Sequence, residues 1–167
     1  MIMKTLVLFN IDGTLVKWFE GHGKAFSDDD IILLDGVQEL LSQLNENDIM
    51  IGLVTDNLKP IARGKLEKVN IDDYFKVGGF GNDDLDKANL VRLTIEKAKK
   101  YFGFEFSNNV SLFGDAPQDM KAGKEVGVEA IGLTTGVYSK EQLEDAGADL
   151  VLENLKDTEK ILKIIRG

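Results

Sequence analysis

Three short apolar runs, each stopping at polar residues, constrain this chain more than any other feature. Leu6-Val7-Leu8-Phe9 runs into Asn10 and Asp12, Ile49-Met50-Ile51-Gly52-Leu53-Val54 into Thr55-Asp56-Asn57, and Val110-Ser111-Leu112-Phe113 into Gly114-Asp115. Runs this continuous are typical of parallel strands covered on both faces. Side chains alternate along a strand, so Asn10 and Asp12 leave the first run on the same side. Gly13 then lets the backbone turn sharply.

Helical patterns fill the intervals. Val37, Leu40, Leu41 and Leu44 recur at i, i+3, i+4 and i+7 behind Asp35-Gly36, and Pro60 suits the first turn of a helix through about Val69. Val91, Ile95, Ala98 and Phe102 share one face of a helix from Lys87 to Phe102, with Lys97, Lys99 and Lys100 read as a solvated basic cluster. Further on come a helix from about Pro117 to Val126, a strand Glu129 to Leu133, a helix Lys140 to Asp145, a strand near Leu150-Val151 and a last helix. That last helix is expected to bury Leu155, Thr158, Leu162 and Ile165. Tyr74 to Gly78 reads as a short strand, and Gly78 to Asp84 as a turn, since it lacks Gly-x-Gly-x-x-Gly and its acids would repel phosphate. Val16 to Asp30 has no periodicity and reads as a loop or short helix, with His22 solvated and Trp18 and Phe19 covering a core edge. Alternating strands and helices predict one doubly wound α/β domain over 1–167, with a mostly parallel sheet, right-handed crossovers and a ligand crevice at the strand C-termini.

Composition narrows the chemistry. With 43% hydrophobic and 29% charged residues, the chain has an ordinary globular composition. It carries no cysteine and one histidine, so thiolate chemistry is excluded and a metal would be a hard ion on oxygen ligands. A formal charge of -9 disfavours nonspecific nucleic-acid binding. No apolar run approaches the roughly 20 residues of a membrane span. No signal-peptide pattern precedes the first strand, so a cytoplasmic location is expected.

The strand endings carry the candidate chemistry. Asn10, Asp12, Thr55 and Asp115 lie at strand C-termini, Asp119 just beyond, and Lys87 opens an intervening helix. Taken singly, Asp12 is a turn former, Thr55 and Asp115 are helix caps, and Lys87 is a surface charge. Together they suit phosphoryl transfer. A cation held by Asp115 and the Lys87 ammonium would neutralise phosphate oxygens. Thr55 and backbone N–H groups at the Gly13 turn and the helix after Thr55 would donate to them. Asp12 is placed to act as general acid and then base.

These residues resemble the motifs of the haloacid dehalogenase-like (HAD) hydrolases, and phosphoglycolate phosphatase-like members in particular. Asn10-Ile11-Asp12-Gly13-Thr14-Leu15 is similar to the signature Asp-x-Asp-Gly-Thr-Leu, with asparagine where the family has its nucleophile. Thr55 matches the second motif, Lys87 the basic residue of the third, and Gly114-Asp115-x-x-x-Asp119 the metal motif. The resemblance implies a Rossmann-like core and a Mg²⁺-dependent phosphatase acting on a small phosphorylated substrate. It implies catalytic positions at Asn10, Asp12, Thr55 and Lys87, and phosphate contacts from Gly13, Thr55, Asp56, Asn57 and Lys87. Metal ligands would be Asn10, the Asp12 carbonyl and Asp115, with Asp119 supporting the shell.

Only about 40 residues separate Asp12 from Thr55, so 16–35 is expected to be a short insert where a cap domain would sit. An amide cannot attack phosphorus, and loss of a nucleophile typically costs roughly 10⁴- to 10⁶-fold in turnover. A nearly inactive phosphatase scaffold is therefore expected, as monomer or homodimer, whether Asn10 is a substitution that traps substrate, a natural loss of catalysis, or a divergence to other chemistry. A noncatalytic phosphate-binding or interaction module and a metal-free haloacid dehalogenase are the alternatives.

Overall fold

The structure, a computed structural model, describes residues 4–18 and 31–166. Its main sheet holds six parallel strands in the order β5-β4-β1-β6-β7-β8. These are β1 (Leu6–Phe9), β4 (Met50–Val54), β5 (Val77–Gly79), β6 (Val110–Gly114), β7 (Glu129–Leu133) and β8 (Leu150–Leu152). Between them run α1 (Val37–Glu46), α2 (Lys59–Lys68), α3 (Lys87–Phe102), α4 (Pro117–Val126) and α5 (Lys140–Asp145), and α6 (Thr158–Arg166) follows β8. A 3₁₀ turn at Asp72–Tyr74 leads into β5.

Both faces of β1 are buried, which explains its unbroken apolar run. Val7 and Phe9 join the core made with Val37, Leu40, Leu41 and Leu44 of α1 and Ala62 and Leu66 of α2. Leu6 and Leu8 join the opposite core, with Leu90, Val91 and Ile95 of α3. Phe9 stacks on Phe113 of β6 at 5.2 Å between ring centroids. The chain moves from β1 outward to β4 and β5, then returns through α3 to β6 on the other side. The strand order thus reverses around β1, and a crevice opens at its C-terminal end.

Four expectations need correction. Val16 to Asp30 is not simply a loop or short helix: β2 (Val16–Trp18) pairs antiparallel with β3 (Ile31–Leu33) as a separate two-stranded sheet. Val16 and Ile31 are buried against the main core, a nonlocal contact with no periodic signal in so short a segment. Trp18 packs on that core as expected, whereas Phe19 and His22 lie outside the described residues. The Tyr74 to Gly78 strand is shifted, because Asp72–Tyr74 forms the 3₁₀ turn and pairing with β4 begins only at Val77.

In α6 the fully covered side chains are Thr158 and Ile161, while Leu162 and Ile165 are only partly buried and Leu155 is buried ahead of the helix. Lys97 is not merely solvated. Its Nζ donates to the Gly78 carbonyl at 2.6 Å and lies 3.8 Å from Asp83, because α3 packs along β5.

Candidate active site

The crevice at the end of β1 gathers most of the chemistry-bearing residues that lie far apart in the chain. Asn10 follows β1, and its Nδ2 donates both to the Asp12 carbonyl at 3.1 Å and to Asp115 Oδ1 at 2.9 Å. Its Oδ1 accepts from Lys87 Nζ at 3.3 Å. Asp115, at the end of β6, also accepts from the buried Thr14 hydroxyl at 3.0 Å. Burial pushes the Asp115 carboxyl above its ordinary range and repulsion from Asp119 adds to that, while the hydrogen bonds from Asn10 and Thr14 oppose it.

Two glycines make room for this carboxylate. Gly13 has φ +81°, and a Cβ there would stand 2.2 Å from Asp115 Oδ2; a Cβ at Gly136 would stand 2.3 Å from the same oxygen. The loop after β7 is held to the Gly13 turn by the Thr135 hydroxyl, which donates to the Gly13 carbonyl at 2.6 Å.

Lys87 opens α3, where the Asp86 side chain caps the helix by accepting from the Ala88 N–H. Its Nζ lies 3.0 Å from Oδ1 of the fully buried Asp119 and 3.9 Å from the exposed Asp56 carboxylate. Asp119 also accepts from the Ala116 N–H through Oδ2 at 3.1 Å, which caps α4. Beside Lys87 lies a cavity of about 340 Å³ walled by Asp56, Asp84, Leu85, Asp86 and Gln118.

Asp12 is held by a residue that the sequence motifs do not include. Lys65 Nζ, from α2, donates to both Asp12 oxygens at 2.8 and 3.0 Å and to Asn57 Oδ1 at 3.0 Å. It stands 5.5 Å from the Trp18 ring centroid, within cation–π range. Asn57 adds a bond from Nδ2 to Asp12 Oδ2 at 2.8 Å. The buried Thr55 hydroxyl oxygen accepts from the Asn57 N–H and Nδ2, leaving its own proton available to a ligand. Lys65 falls in the middle of a helix that the sequence marks only by Pro60 in its first turn, so nothing local marked Lys65 itself.

The predicted set is thus largely assembled, with three members used differently. Asn57 orients Asp12 and Thr55, Asp56 points its exposed carboxylate toward Lys87, and Asp119 serves Lys87 and a helix cap. The four-residue metal set does not fit as expected. Asn10 presents its N–H groups, not its oxygen, to the Asp12 carbonyl and Asp115. Among the described residues no cluster of three or more histidine, aspartate or glutamate side chains is arranged to hold a metal ion.

The profile of the family described as haloacid dehalogenase-like hydrolase matches residues 10–133, from the asparagine to the end of β7. The chain belongs to the haloacid dehalogenase-like hydrolase family. It is 25% identical over 153 residues to a protein of Caldanaerobacter subterraneus subsp. tengcongensis carrying the provisional name pyrophosphatase PpaX, covering 92% of this chain and 67% of that protein. It is also 25% identical over 143 residues to phosphoglycolate phosphatase of Salmonella choleraesuis, covering 86% of this chain and 56% of the relative. The HAD chain here thus spans little more than half the length of the latter. A crystal structure of a predicted phosphatase from Clostridium acetobutylicum superimposes with a TM-score of 0.81 at 19% identity, over 96% of this chain and 99% of the other. That likeness establishes the HAD fold. Among the described residues, no helix is long and apolar enough to cross a membrane.

Proposed function

We propose that this chain is a phosphatase scaffold that binds a small phosphorylated metabolite and is slowed at the chemical step by Asn10. The convergence of Asn10, Asp12, Thr55, Lys87 and Asp115 on one crevice carries the reading. Thr55 donates its hydroxyl proton and Lys87 its ammonium protons to phosphate oxygens, and the neighbouring cavity is large enough for the rest of a small ligand. In this reading the sequence leaves room at 16–35 for only a short insert in place of a cap domain, so the crevice takes its ligand without a large cover.

With a carboxylate at position 10, that oxygen attacks phosphorus and the bond to the leaving oxygen breaks. Asp12 delivers a proton to the leaving oxygen and then takes one from the water that releases phosphate. Both Asp12 oxygens are engaged by Lys65 and Asn57, so these contacts must loosen as substrate enters. A carboxylate at position 10 beside Asp115 and the Asp12 carbonyl would restore a place for Mg²⁺, which would supply charge neutralisation to the phosphoryl group. The Asn10 amide has no comparable nucleophilic oxygen, and the present chain is expected to bind rather than turn over its substrate.

The test is to measure hydrolysis of p-nitrophenyl phosphate by the Asn10→Asp protein in the presence of Mg²⁺, beside the unaltered chain. Strong hydrolysis by the variant alone supports the reading. No hydrolysis by either, with inorganic phosphate still bound, favours the second reading, a noncatalytic phosphate-binding module. The amide at position 10 is the observation that keeps that reading open.

A further inference from the structure

We infer that the Asn10 amide takes the place of the divalent cation in this chain, so that the crevice is assembled without metal and Mg²⁺ has no family-type site here. The identity of the displaced ion rests on the proposed phosphatase reading, but the geometry does not. Asn10 Nδ2 uses its two hydrogens to draw together the Asp12 carbonyl, at 3.1 Å, and Asp115 Oδ1, at 2.9 Å. Those are two oxygens that a hard cation would otherwise gather. The Thr14 hydroxyl is a second donor to Asp115 Oδ1.

The orientation of the amide is determined from both sides. Turning it over to offer Oδ1 to a metal would set its NH₂ against the Lys87 ammonium, donor against donor. It would also set its oxygen against the Asp115 carboxylate and the Asp12 carbonyl, acceptor against acceptor.

Asp119, the supporting member of the predicted metal set, is committed elsewhere, paired to Lys87 and capping α4. Lys65 brings a second ammonium to the crevice beside Lys87, supplying positive charge that does not depend on a bound ion.

Mg²⁺ binding to the full chain is measured by titration calorimetry, alongside thermal melting with Mg²⁺ and with chelator. The unaltered chain is expected to show no saturable Mg²⁺ binding at millimolar concentrations and the same melting temperature in both conditions. Asn10→Asp is expected to melt lower with chelator, because a further oxygen charge then faces Asp115 and the Asp12 carbonyl, and to recover by several degrees with Mg²⁺. Saturable Mg²⁺ binding by the unaltered chain that disappears in Asp115→Asn overturns the inference. So does an Asn10→Asp protein that folds but ignores Mg²⁺.

Should that variant not fold, the Asn10 side-chain amide resonances of the unaltered chain decide. Slow hydrogen exchange that millimolar Mg²⁺ leaves unchanged supports the bridge, and fast exchange or a saturable Mg²⁺-dependent shift refutes it. Binding of inorganic phosphate is followed separately. Its loss counts against the phosphatase reading and leaves the metal result intact.

Discussion

Replacing Lys87 by methionine should destabilise the protein far more than a surface charge change would, because it strands a carboxylate with no access to water. Lys87 is 8% exposed and its partner Asp119 is 0% exposed, with 3.0 Å between Nζ and Oδ1. At that separation and an effective dielectric of about 20, the Coulomb attraction is roughly 5 kcal/mol. Most of it offsets the cost of bringing two charges out of water, so the intact pair adds little net stability. Removing one partner leaves that desolvation uncompensated, and the expected loss is about 3–5 kcal/mol. For a domain of this size the melting temperature should fall by about 6–20 °C.

The decisive measurement is a double-mutant cycle by urea unfolding with Lys87→Met, Asp119→Asn and the pair combined. The Asp119→Asn change keeps an acceptor for the Ala116 N–H while removing the charge. The combined variant should therefore be more stable than the sum of the single losses by about 2 kcal/mol or more. A coupling energy below about 0.5 kcal/mol would show that the pair is solvated in solution and that Asp119 is held by its helix cap alone.

Asp115→Asn should raise stability at neutral pH. The folded-state pKa of Asp115 lies above its ordinary 3.8, so stability falls as pH rises from that value through the folded pKa. The gain should vanish in melts recorded below pH 3.8, and a gain of equal size at both pH values would contradict the assignment. Gly13→Ala combines a left-handed φ of +81° with a Cβ 2.2 Å from Asp115 Oδ2. Strain of this kind costs about 1–3 kcal/mol, and an unchanged unfolding midpoint would mean that the turn relaxes freely. Lys65→Met should cost only about 1–2 kcal/mol, since the Asp12 side chain is 42% exposed and water solvates it once Lys65 is gone. Chemical denaturation giving a loss as large as that of Lys87→Met would place Asp12 in a drier setting than its exposure indicates.

What the sequence alone determined is the framework. Unbroken apolar runs demand strands buried on both sides, and β1, whose alternate residues enter opposite cores, meets that demand. The i, i+3, i+4 spacing of Val37, Leu40, Leu41 and Leu44 specifies a helix covering one of those sides, and all four are buried. The polar strand endings identified the crevice because parallel strands must finish on the same edge of the sheet. Tertiary structure alone decided which polar groups meet there. Asp12 is 53 residues from Lys65, and Asn10 is 105 residues from Asp115. Periodicity reports which face of an element is covered but not which distant side chain stands opposite a given atom. The same limit hid the pairing of β2 with β3 and the contact of Lys97 with Gly78. The asparagine at position 10 was plain in the sequence, but the direction in which its amide faces was not. That direction depends on Lys87 on one side and on Asp115 and the Asp12 carbonyl on the other, and only the folded chain brings them together.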